Sequence, residues 1–340
     1  MTIGTPEPEP IGTPEPEPIG TPEPEPIGTP PLPPISLPEP APTPTPPPSA
    51  PAAEPKPTRR IADPARERRV DLPEPAPIDR HGPARVIALC NQKGGVGKTT
   101  TTINLGAGLA LFGRRVLLVD FDPQGALSVG LAVPAHELER TIYNLLMERG
   151  AETRDLIHRT SVPGLDLLPS NIDLSAAEVQ LVGEVAREQA LARVLRGVVA
   201  DYDYVLIDCQ PSLGLLTVNA LTAAQGVIIP LECEFFSLRG VALLRDTIEK
   251  VRDRLNPDLE IQGILATMYD PRTVHNREVF ARVVEAFDDV VFQTVIARTV
   301  RFPETTVVGE PILTWAPGSP GAVAYRDLAK ELLARDAARG

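Results

Sequence analysis

Residues 93–100 read Lys-Gly-Gly-Val-Gly-Lys-Thr-Thr, and they constrain the fold more than any other part of this chain of 340 residues. An apolar run over 86–90 precedes them and a helix-like stretch over 99–112 follows, so the local order is strand, loop, helix. Glycines reach backbone angles closed to residues with a Cβ, which lets consecutive N–H groups turn inward around an anion. The positive end of the following helix adds its partial charge to the same pocket. This pattern predicts a nucleoside triphosphate site in an α/β domain.

The residue types at the end of this loop assign expected roles within such a site. Lys98 would reach the β- and γ-phosphates, and the Thr99 hydroxyl would ligate Mg²⁺. The alternative to a nucleotide-binding loop is a glycine-rich turn with two solvated lysines. The residues expected to bind the nucleotide are Gly94, Gly95, Val96, Gly97, Lys98, Thr99 and Thr100.

Three aspartates follow apolar runs and are expected to complete the site. The run 115–119 leads into Asp120 and, two residues later, Asp122; the run 204–207 leads into Asp208. Side chains alternate along extended chain, so Asp120 and Asp122 would project to one side, at the edge where open α/β sheets place their ligands. Asp208 stands where a carboxylate holds Mg²⁺ through a water, and Asp120 would help to hold that shell. Each aspartate also has a structural interpretation as a turn former or helix cap.

The loop departs from the strict phosphate-binding pattern, because Gln92 stands where a glycine is usual and Lys93 adds a second lysine. In this form it resembles the deviant loop of the ParA/MinD family of ATPases. The likeness runs from about Arg85 to the C-terminus, including segments 232–238 and 312–317, and is nearest to chromosomal ParA/Soj proteins of the actinobacterial type. The family commonly has two prolines after the Asp-Cys pair at 208–209, and Gln210 replaces the first of them.

The resemblance implies a mechanism. Lys93 would reach across a dimer interface to the partner's nucleotide, and Asp122 would orient the attacking water, so Lys93, Lys98 and Asp122 are the expected catalytic residues. The family members bind ATP and Mg²⁺, pair in the ATP state, and then bind double-stranded DNA without sequence preference. A ParB-type DNA-binding protein triggers their hydrolysis. The expected location is cytoplasmic and nucleoid-associated.

The family's DNA-contacting arginines match Arg272 and Arg301, with Arg277, Arg282 and Arg298 as weaker candidates. Composition alone does not suggest DNA, because residues 81–340 hold 32 acidic and 26 basic residues, a net charge of −6. A basic surface would therefore have to be placed locally and assembled by pairing of subunits. The alternative for these arginines is ion pairing with neighbours such as Glu278 and Glu285.

The remainder of the chain alternates apolar strands with helices, which predicts a doubly wound, mainly parallel sheet with helices on both faces. The last helix pattern, with Tyr325, Leu328 and Leu332 among charged residues, predicts a helix docked on its own core. A MinD-type membrane helix and a tyrosine-rich kinase tail are thereby disfavoured, and no membrane partner is expected. A nucleotide-switched positioning or regulatory ATPase, without a direct role in DNA segregation, remains the alternative function. Candidate strands are 86–90, 115–120, 165–168, 204–207, 227–230 and 261–267; candidate helices are 99–112, 174–182, 187–199, 215–224, 238–255 and 274–287.

The first 82 residues are expected to form a separate, disordered arm and linker, followed by the ATPase domain over 83–340. Of the 40 prolines, 27 lie in residues 1–80, and residues 3–26 are three copies of Ile-Gly-Thr-Pro-Glu-Pro-Glu-Pro. Such a repeat buries too little surface to offset the entropy of ordering, and it lacks the features of a targeting signal. The arginines at 59, 60, 66, 68 and 69 are interpreted as a solvated linker, with an anionic surface as the alternative. Three cysteines, Cys90, Cys209 and Cys233, are expected in the core rather than at zinc.

Overall fold

The computed structural model describes residues 63–148, 150–234 and 237–339, without the side chains of Ser237 and Leu238. The sheet follows the order β3-β4-β2-β5-β1-β6-β7. All neighbouring strands are parallel except β3, which is antiparallel to β4. The predicted mainly parallel sheet is therefore confirmed. The strands are β1 Arg85–Leu89, β2 Val116–Phe121, β3 His158–Arg159, β4 Leu165–Leu168, β5 Tyr204–Cys209, β6 Gly226–Glu232 and β7 Glu260–Thr267.

Twelve α-helices lie in the described part of the chain. The predicted helix over 187–199 is broken: a 3₁₀ turn, Arg187–Gln189, precedes α6, and α6 stops before Gly197, a residue that ends helices readily. The helices are α1 Pro64–Glu67, α2 Lys98–Leu111, α3 Ala126–Val129, α4 Ile142–Met147, α5 Leu174–Gln180, α6 Ala190–Arg196, α7 Leu215–Ala223, α8 Ser237–Arg254, α9 Val274–Phe287, α10 Arg301–Val308, α11 Ile312–Trp315 and α12 Pro320–Ala337.

Both faces of the sheet are buried, as the continuous apolar strands predict. Along β1, Val86 and Ala88 enter one core cluster, whereas Ile87 and Leu89 enter the other. The first cluster packs the sheet against α4 to α9, and the second packs it against α2, α3, α11 and α12. The domain is thus a doubly wound α/β fold, and the carboxyl ends of its parallel strands form one edge.

The C-terminal helix α12 docks on α2, as expected from its pattern of apolar residues. Its residues Tyr325, Leu328 and Leu332 are almost completely buried. At Gly108 of α2, an added Cβ would lie 2.9 Å from the Cβ of Ala329, so glycine permits this close approach of the two helices. Among the described helices, none combines the length and the apolar character that a membrane span requires.

Residues 63–74, called the strap below, contact the domain. The buried Ala65 lies in α1, which packs on α9. The Tyr269 hydroxyl donates to Asp63 at 2.6 Å, and the backbone N–H and C=O of Val70 pair with the amide of Gln293 at 2.9 and 3.0 Å. The strap is therefore part of the packed structure.

The solvated-linker interpretation does not hold for the two arginines of the strap that form ion pairs. Arg68 binds the Asp288 carboxylate and two backbone carbonyls, and Arg69 binds Asp327 at 2.8 Å. Their partners lie more than 200 residues away in sequence, so local charge patterning carried no signal of them. Residues 1–62, including the repeats, lie outside the described residues, and the domain boundary after residue 82 stays a prediction.

Candidate functional site

The loop between β1 and α2 has the backbone geometry that the glycines permit. Gly95 and Gly97 have φ of 75° and 83°, in the left-handed region that disfavours side chains. A Cβ added at Gly95 would meet no atom within 4 Å, so the requirement there is conformational rather than steric. Gly97 immediately precedes α2, and the unpaired N–H groups of the first helical turn face the loop. This geometry suits an anion.

Two side chains that the sequence reasoning missed fix the loop to neighbouring strands. Asn91 donates to the carbonyl of Pro230 in β6 at 2.7 Å and accepts from the Lys93 N–H at 3.0 Å. The buried Thr267 hydroxyl, at the end of β7, donates to the Val96 carbonyl at 2.8 Å. Asn91 adjoins the loop in sequence, whereas Thr267 is 171 residues away and gave no local signal. The loop is thus held at both ends.

Lys98 and Thr99, the first two residues of α2, come together with Asp208 as expected. The Lys98 side chain is buried, and its Nζ lies 3.3 Å from the Lys93 carbonyl oxygen. The Thr99 hydroxyl donates to Asp208 Oδ2 at 2.6 Å. Thr102, one turn further along α2, donates to the other carboxylate oxygen at 3.4 Å and was missed by the sequence reasoning. The end of β5 is therefore tied to the first turns of α2.

Asp120 and Asp208 face each other across the neighbouring strands β2 and β5, where they are direct register partners. Both are completely buried. Burial raises the pKa of Asp120 to about 8, with the Asp208 charge adding to the shift. Burial also raises the pKa of Asp208 to about 7, although the Thr99 hydrogen bond and the Lys98 charge oppose it. Two carboxyl groups that resist ionisation together mark a place for a cation.

The two aspartates of the β2 end differ in their surroundings. Asp120 Oδ2 accepts from the backbone N–H and the hydroxyl of Ser128, at 2.9 and 2.7 Å, which holds the start of α3 against β2. Asp122 lies one residue beyond β2 and is half-buried, with Oδ1 accepting from the Gln124 N–H at 3.0 Å. Its charge acts on Asp208, so the three carboxylates share one site.

The donor set of this site fits Mg²⁺. Thr99, Asp120, Asp122 and Asp208 offer oxygen atoms, which hard cations prefer. In the described residues, no group of three or more His, Cys, Asp and Glu side chains is arranged to hold a metal by itself. Mg²⁺ needs no such cage, because one or two carboxylates, phosphate oxygens and waters satisfy it.

A cavity of about 360 Å³ opens beside the loop. Its lining combines loop and helix residues with the end of β7 and the segment before α10, including Gly97, Thr100, Thr267, Met268, Ile296 and Phe302. The wall is mainly apolar and lies within reach of the loop. It could accept a planar group attached to a bound phosphate chain.

Lys93 lies near the start of the loop, where two carboxylates of its own chain hold its ammonium group. Its Nζ lies 2.9 Å from Glu232 Oε2 and forms a second, shorter ion pair with Glu234. Partial burial would lower the Lys93 pKa, but the hydrogen bonds to Glu234 and Glu232 outweigh it and raise the pKa. Both glutamates lie in the 232–238 segment noted in the sequence, but neither of them was given a role from the sequence alone.

The arginines expected to contact DNA occupy two adjoining segments. Tyr269 bridges to Ala297, which brings the segment before Arg272 beside the segment that leads to Arg301 at the start of α10. Arg272 is exposed, but its Nε and Nη2 atoms each donate to the Asp270 carboxylate at 2.9 Å, and these bonds lower the Asp270 pKa to about 2. Arg301 is also exposed.

The weaker arginine candidates are placed differently. Arg298 pairs with Glu232 at 2.8 Å, and Arg277 donates to the Pro271 carbonyl at 2.6 Å. Arg282 is exposed and lies outside the buried face of α9. The expected pairing partners Glu278 and Glu285 are not those seen for Arg272, whose partner is Asp270.

Comparison with known proteins agrees with this geometry. The profile of the AAA domain family matches residues 84–261. An uncharacterized protein of Mycobacterium tuberculosis is 69% identical over 264 residues, covering 78% of this chain and 83% of that protein. The chromosome partitioning protein ParA of Caulobacter vibrioides is 48% identical over 256 residues, covering 75% of this chain and 96% of ParA.

A solved structure shares the fold. The cobyrinic acid a,c-diamide synthase of Mycobacterium smegmatis, solved with a bound ATP analogue and magnesium, superposes with a TM-score of 0.67 at 42% identity. The match covers 76% of this chain and 97% of that one. With the AAA profile spanning more than half of the chain and ParA matched over nearly its full length, this protein belongs to the ParA/Soj family of P-loop ATPases.

Proposed function

We propose that this protein is an ATPase that binds Mg²⁺ and ATP at the 91–100 loop, forms a homodimer in the ATP state and then binds double-stranded DNA without sequence preference. Its role is chromosome or plasmid partitioning in the cytoplasm, on the nucleoid, with hydrolysis stimulated by a ParB-type protein. The observation that carries the proposal is the Thr99–Asp208 contact at 2.6 Å beside the buried Lys98, in a chain 48% identical to ParA.

In this proposal, the residues of the loop bind the phosphates of the nucleotide. The loop N–H groups and the start of α2 hold the phosphates, and the Lys98 ammonium neutralises charge on their β- and γ-oxygens. Residues Gly94, Gly95, Val96, Gly97 and Thr100 complete the cradle. The nucleobase occupies the 360 Å³ cavity, whose apolar wall favours stacking and burial of a planar ring.

The carboxylates act on the metal and the water. Thr99 and Asp208 hold Mg²⁺, which neutralises charge that develops on the triphosphate, and Asp120 supports that shell from β2. Asp122, at the half-buried mouth of the site, orients the attacking water. Lys93 supplies positive charge to the nucleotide of the partner subunit. Because this charge arrives only on pairing, we expect slow turnover by one subunit alone.

DNA binding rests on local charge rather than on the net charge of the domain. Residues 81–340 carry a net charge of −6, so a single subunit repels the phosphate backbone at long range. The adjoining segments that carry Arg272 and Arg301 present exposed guanidinium groups on one side of the domain. Two such faces in a dimer double the number of phosphate contacts, which makes binding depend on ATP.

A steady-state ATPase assay with DNA and a ParB-type partner tests the proposal. We expect weak activity for the protein alone and strong stimulation by DNA and partner together. Lys98→Ala should abolish nucleotide binding, and Asp122→Ala should keep ATP-dependent dimers while blocking hydrolysis. Rapid turnover without DNA or partner would contradict the partitioning role. Turnover that requires cobyrinic acid and an amide donor would instead support the activity named for the Mycobacterium smegmatis protein.

One observation favours a second candidate. The Nε and Nη2 atoms of Arg272 both donate to the Asp270 carboxylate, a two-bond geometry that is typical of a structural ion pair. A MinD-like positioning or regulatory ATPase, which switches with nucleotide but has no direct DNA role, would use the same loop and carboxylates. ATP-dependent dimers that retain no DNA in a gel-shift assay would favour this candidate.

A further inference from the structure

We propose that Glu232 and Glu234 are positioning residues that hold the Lys93 ammonium within its own subunit, and that they set the ATP concentration at which two subunits pair. The inference rests on the proposed ATP-dependent dimer, in which Lys93 must leave its own chain to reach a partner's nucleotide. Below, these two glutamates are called the carboxylate clamp.

The backbone after β6 builds the clamp. Glu232 is the last residue of β6, and the Glu234 N–H donates to the Glu232 carbonyl at 2.8 Å, forming a tight turn. The turn brings both side chains to the Lys93 ammonium. Lys93 itself sits on the anchored loop, because its N–H is bound by Asn91. A hydrogen bond thus fixes the backbone on each side of the contact between the lysine and the glutamates.

Glu232 links two cations. It accepts from Lys93 with Oε2 and from Arg298 with Oε1, at 2.9 and 2.8 Å. When Lys93 leaves, Arg298 still pairs with Glu232. Glu234 has a side chain that is 52% exposed, so water can replace its contact with the lysine. Release is therefore unfavourable but feasible, as a switch requires.

Competition between anions gives the clamp its nucleotide dependence. The Glu232 side chain is 12% exposed and the Glu234 side chain 52%, and the lysine itself is 42% exposed. Ion pairs of such a partly exposed lysine are weak, so the two together hold it by about a factor of ten. A triphosphate with three charged groups in the partner's loop is a stronger acceptor, so it can extract Lys93 where a diphosphate, which lacks the γ-phosphate oxygens, does not. The clamp thus raises the ATP concentration needed for pairing. MgADP does not support pairing with or without the clamp, because it lacks the γ-phosphate that attracts Lys93.

A purely structural interpretation of the same contacts is a surface ion pair that stabilises the loop. The two interpretations predict opposite results. Removing a stabilising pair would weaken nucleotide binding or lower the melting temperature, whereas removing a clamp promotes pairing at a given ATP concentration. Dimerisation is therefore the decisive readout, with nucleotide affinity of the monomer measured beside it.

The clamp variants are Glu234→Gln and the double variant Glu232→Gln with Glu234→Gln, in the full chain carrying Asp122→Ala so that ATP dimers accumulate. The matched control is Asp270→Asn. Asp270 lines the same cavity of about 450 Å³ as the two glutamates, but it pairs with Arg272. All measurements are made at one fixed pH, because His275 also lines this cavity and its charge acts on Glu234.

Analytical ultracentrifugation gives the dimer fraction across titrations of MgATP and MgADP. We expect the ATP midpoint for dimerisation to fall about threefold in Glu234→Gln and about tenfold in the double variant, with no dimers in ADP. Asp270→Asn should leave the midpoint within twofold of the parent. The affinity of the dilute monomer for a fluorescent ATP analogue should not change.

Three outcomes would overturn the clamp. An unchanged or raised midpoint in the double variant shows that the glutamates do not restrain Lys93. An equal shift in Asp270→Asn shows that any lost negative charge in the cavity promotes pairing. The absence of dimers at every ATP concentration, in the parent and in all variants, instead refutes the proposed ATP-dependent dimer and the clamp with it.

Discussion

The Thr99 hydroxyl and the Asp208 carboxylate lie 2.6 Å apart, and this hydrogen bond joins the first turn of α2 to the carboxyl end of β5. Two motifs separated by more than 100 residues in sequence are thereby locked into one site. In the doubly wound fold this happens because β1, which leads into the loop, is the direct neighbour of β5. The metal position is therefore prepared by the sheet order before any nucleotide arrives.

Thr99→Ala should weaken the binding of ATP in the presence of Mg²⁺ by about ten- to a hundredfold, since it removes a hydrogen bond to a buried charged group. Thr99→Ser keeps the hydroxyl and should bind within about threefold of the parent. Calorimetric titrations with and without Mg²⁺ measure both. If the alanine variant shows the same Mg²⁺-dependent gain as the parent, Thr99 is not a metal ligand.

The nucleotide-free protein should lose stability as the pH rises from about 4 to about 8. The folded-state pKa values of Asp120 and Asp208, about 8 and about 7, lie above those of the unfolded chain. The folded state therefore holds protons that the unfolded state releases above about pH 4, so this contribution to stability is complete below that pH, falls as the pH rises towards the folded-state pKa values and is lost above them. Thermal melts without Mg²⁺ measure the slope, and Asp208→Asn should flatten it. A slope unchanged by that variant would assign the pH dependence elsewhere.

Thr267→Val should release the loop from β7, because it leaves the buried Val96 carbonyl without its 2.8 Å donor. We expect the free energy of unfolding to fall by about 1–3 kcal/mol and the affinity for ATP to fall with it. Thr267→Ser should restore both. Thr247→Val is the matched control, since the Thr247 hydroxyl donates to a carbonyl on the exposed face of α8. Denaturant melts and calorimetry check the set, and equal effects at 247 and 267 would contradict the anchor.

Arg272→Glu combined with Arg301→Glu should keep ATP binding and dimerisation but weaken DNA binding at least tenfold, with a smaller dependence on salt. Arg245→Glu, on α8 with an exposed ion pair to Glu249, serves as the control for a change of net charge. Fluorescence anisotropy with duplex DNA at several salt concentrations makes the measurement. Undiminished DNA binding would return Arg272 to its pair with Asp270.

Removal of residues 1–80 should lower the melting temperature by a few degrees relative to removal of residues 1–62. The difference isolates the strap, which loses the buried Ala65, the Asp63–Tyr269 bond and both bonds between Val70 and Gln293. ATP hydrolysis should survive both truncations, because the strap carries none of the expected catalytic groups. Identical melting temperatures would show that the strap packs without stabilising the domain.

Local sequence predicted the parts of this protein whose physics is local. The alternating strands and helices, the loop and the aspartates at the strand ends follow from periodicity and residue type, and β4 begins and ends where expected. The features that the sequence did not predict depend on partners that are distant in sequence. The two-residue strand β3 is defined by its pairing with β4, and the strap is ordered by residues more than 200 positions away.

The candidate site shows the same division. Lys98, Thr99 and Asp208 were placed by motif and strand order. Thr267 and Glu234 were not given roles, because a threonine at a strand end and a glutamate in a turn are ordinary residues until the sheet places them beside the loop. Sequence spacing cannot reveal contacts that arise only from the tertiary arrangement of β6, β7 and β1.

Beneath the loop, the Sγ atoms of Cys90 and Cys209 lie 3.0 Å apart, and both residues are about 1% exposed. Burial and the neighbouring Cys90 raise the pKa of the Cys209 thiol, so it stays protonated and poorly nucleophilic while the domain is closed. Alkylating reagents can therefore modify this pair only in molecules that have opened between β1 and β5. The rate at which Cys90 and Cys209 are labelled therefore measures how often the native chain opens at this position beneath the loop.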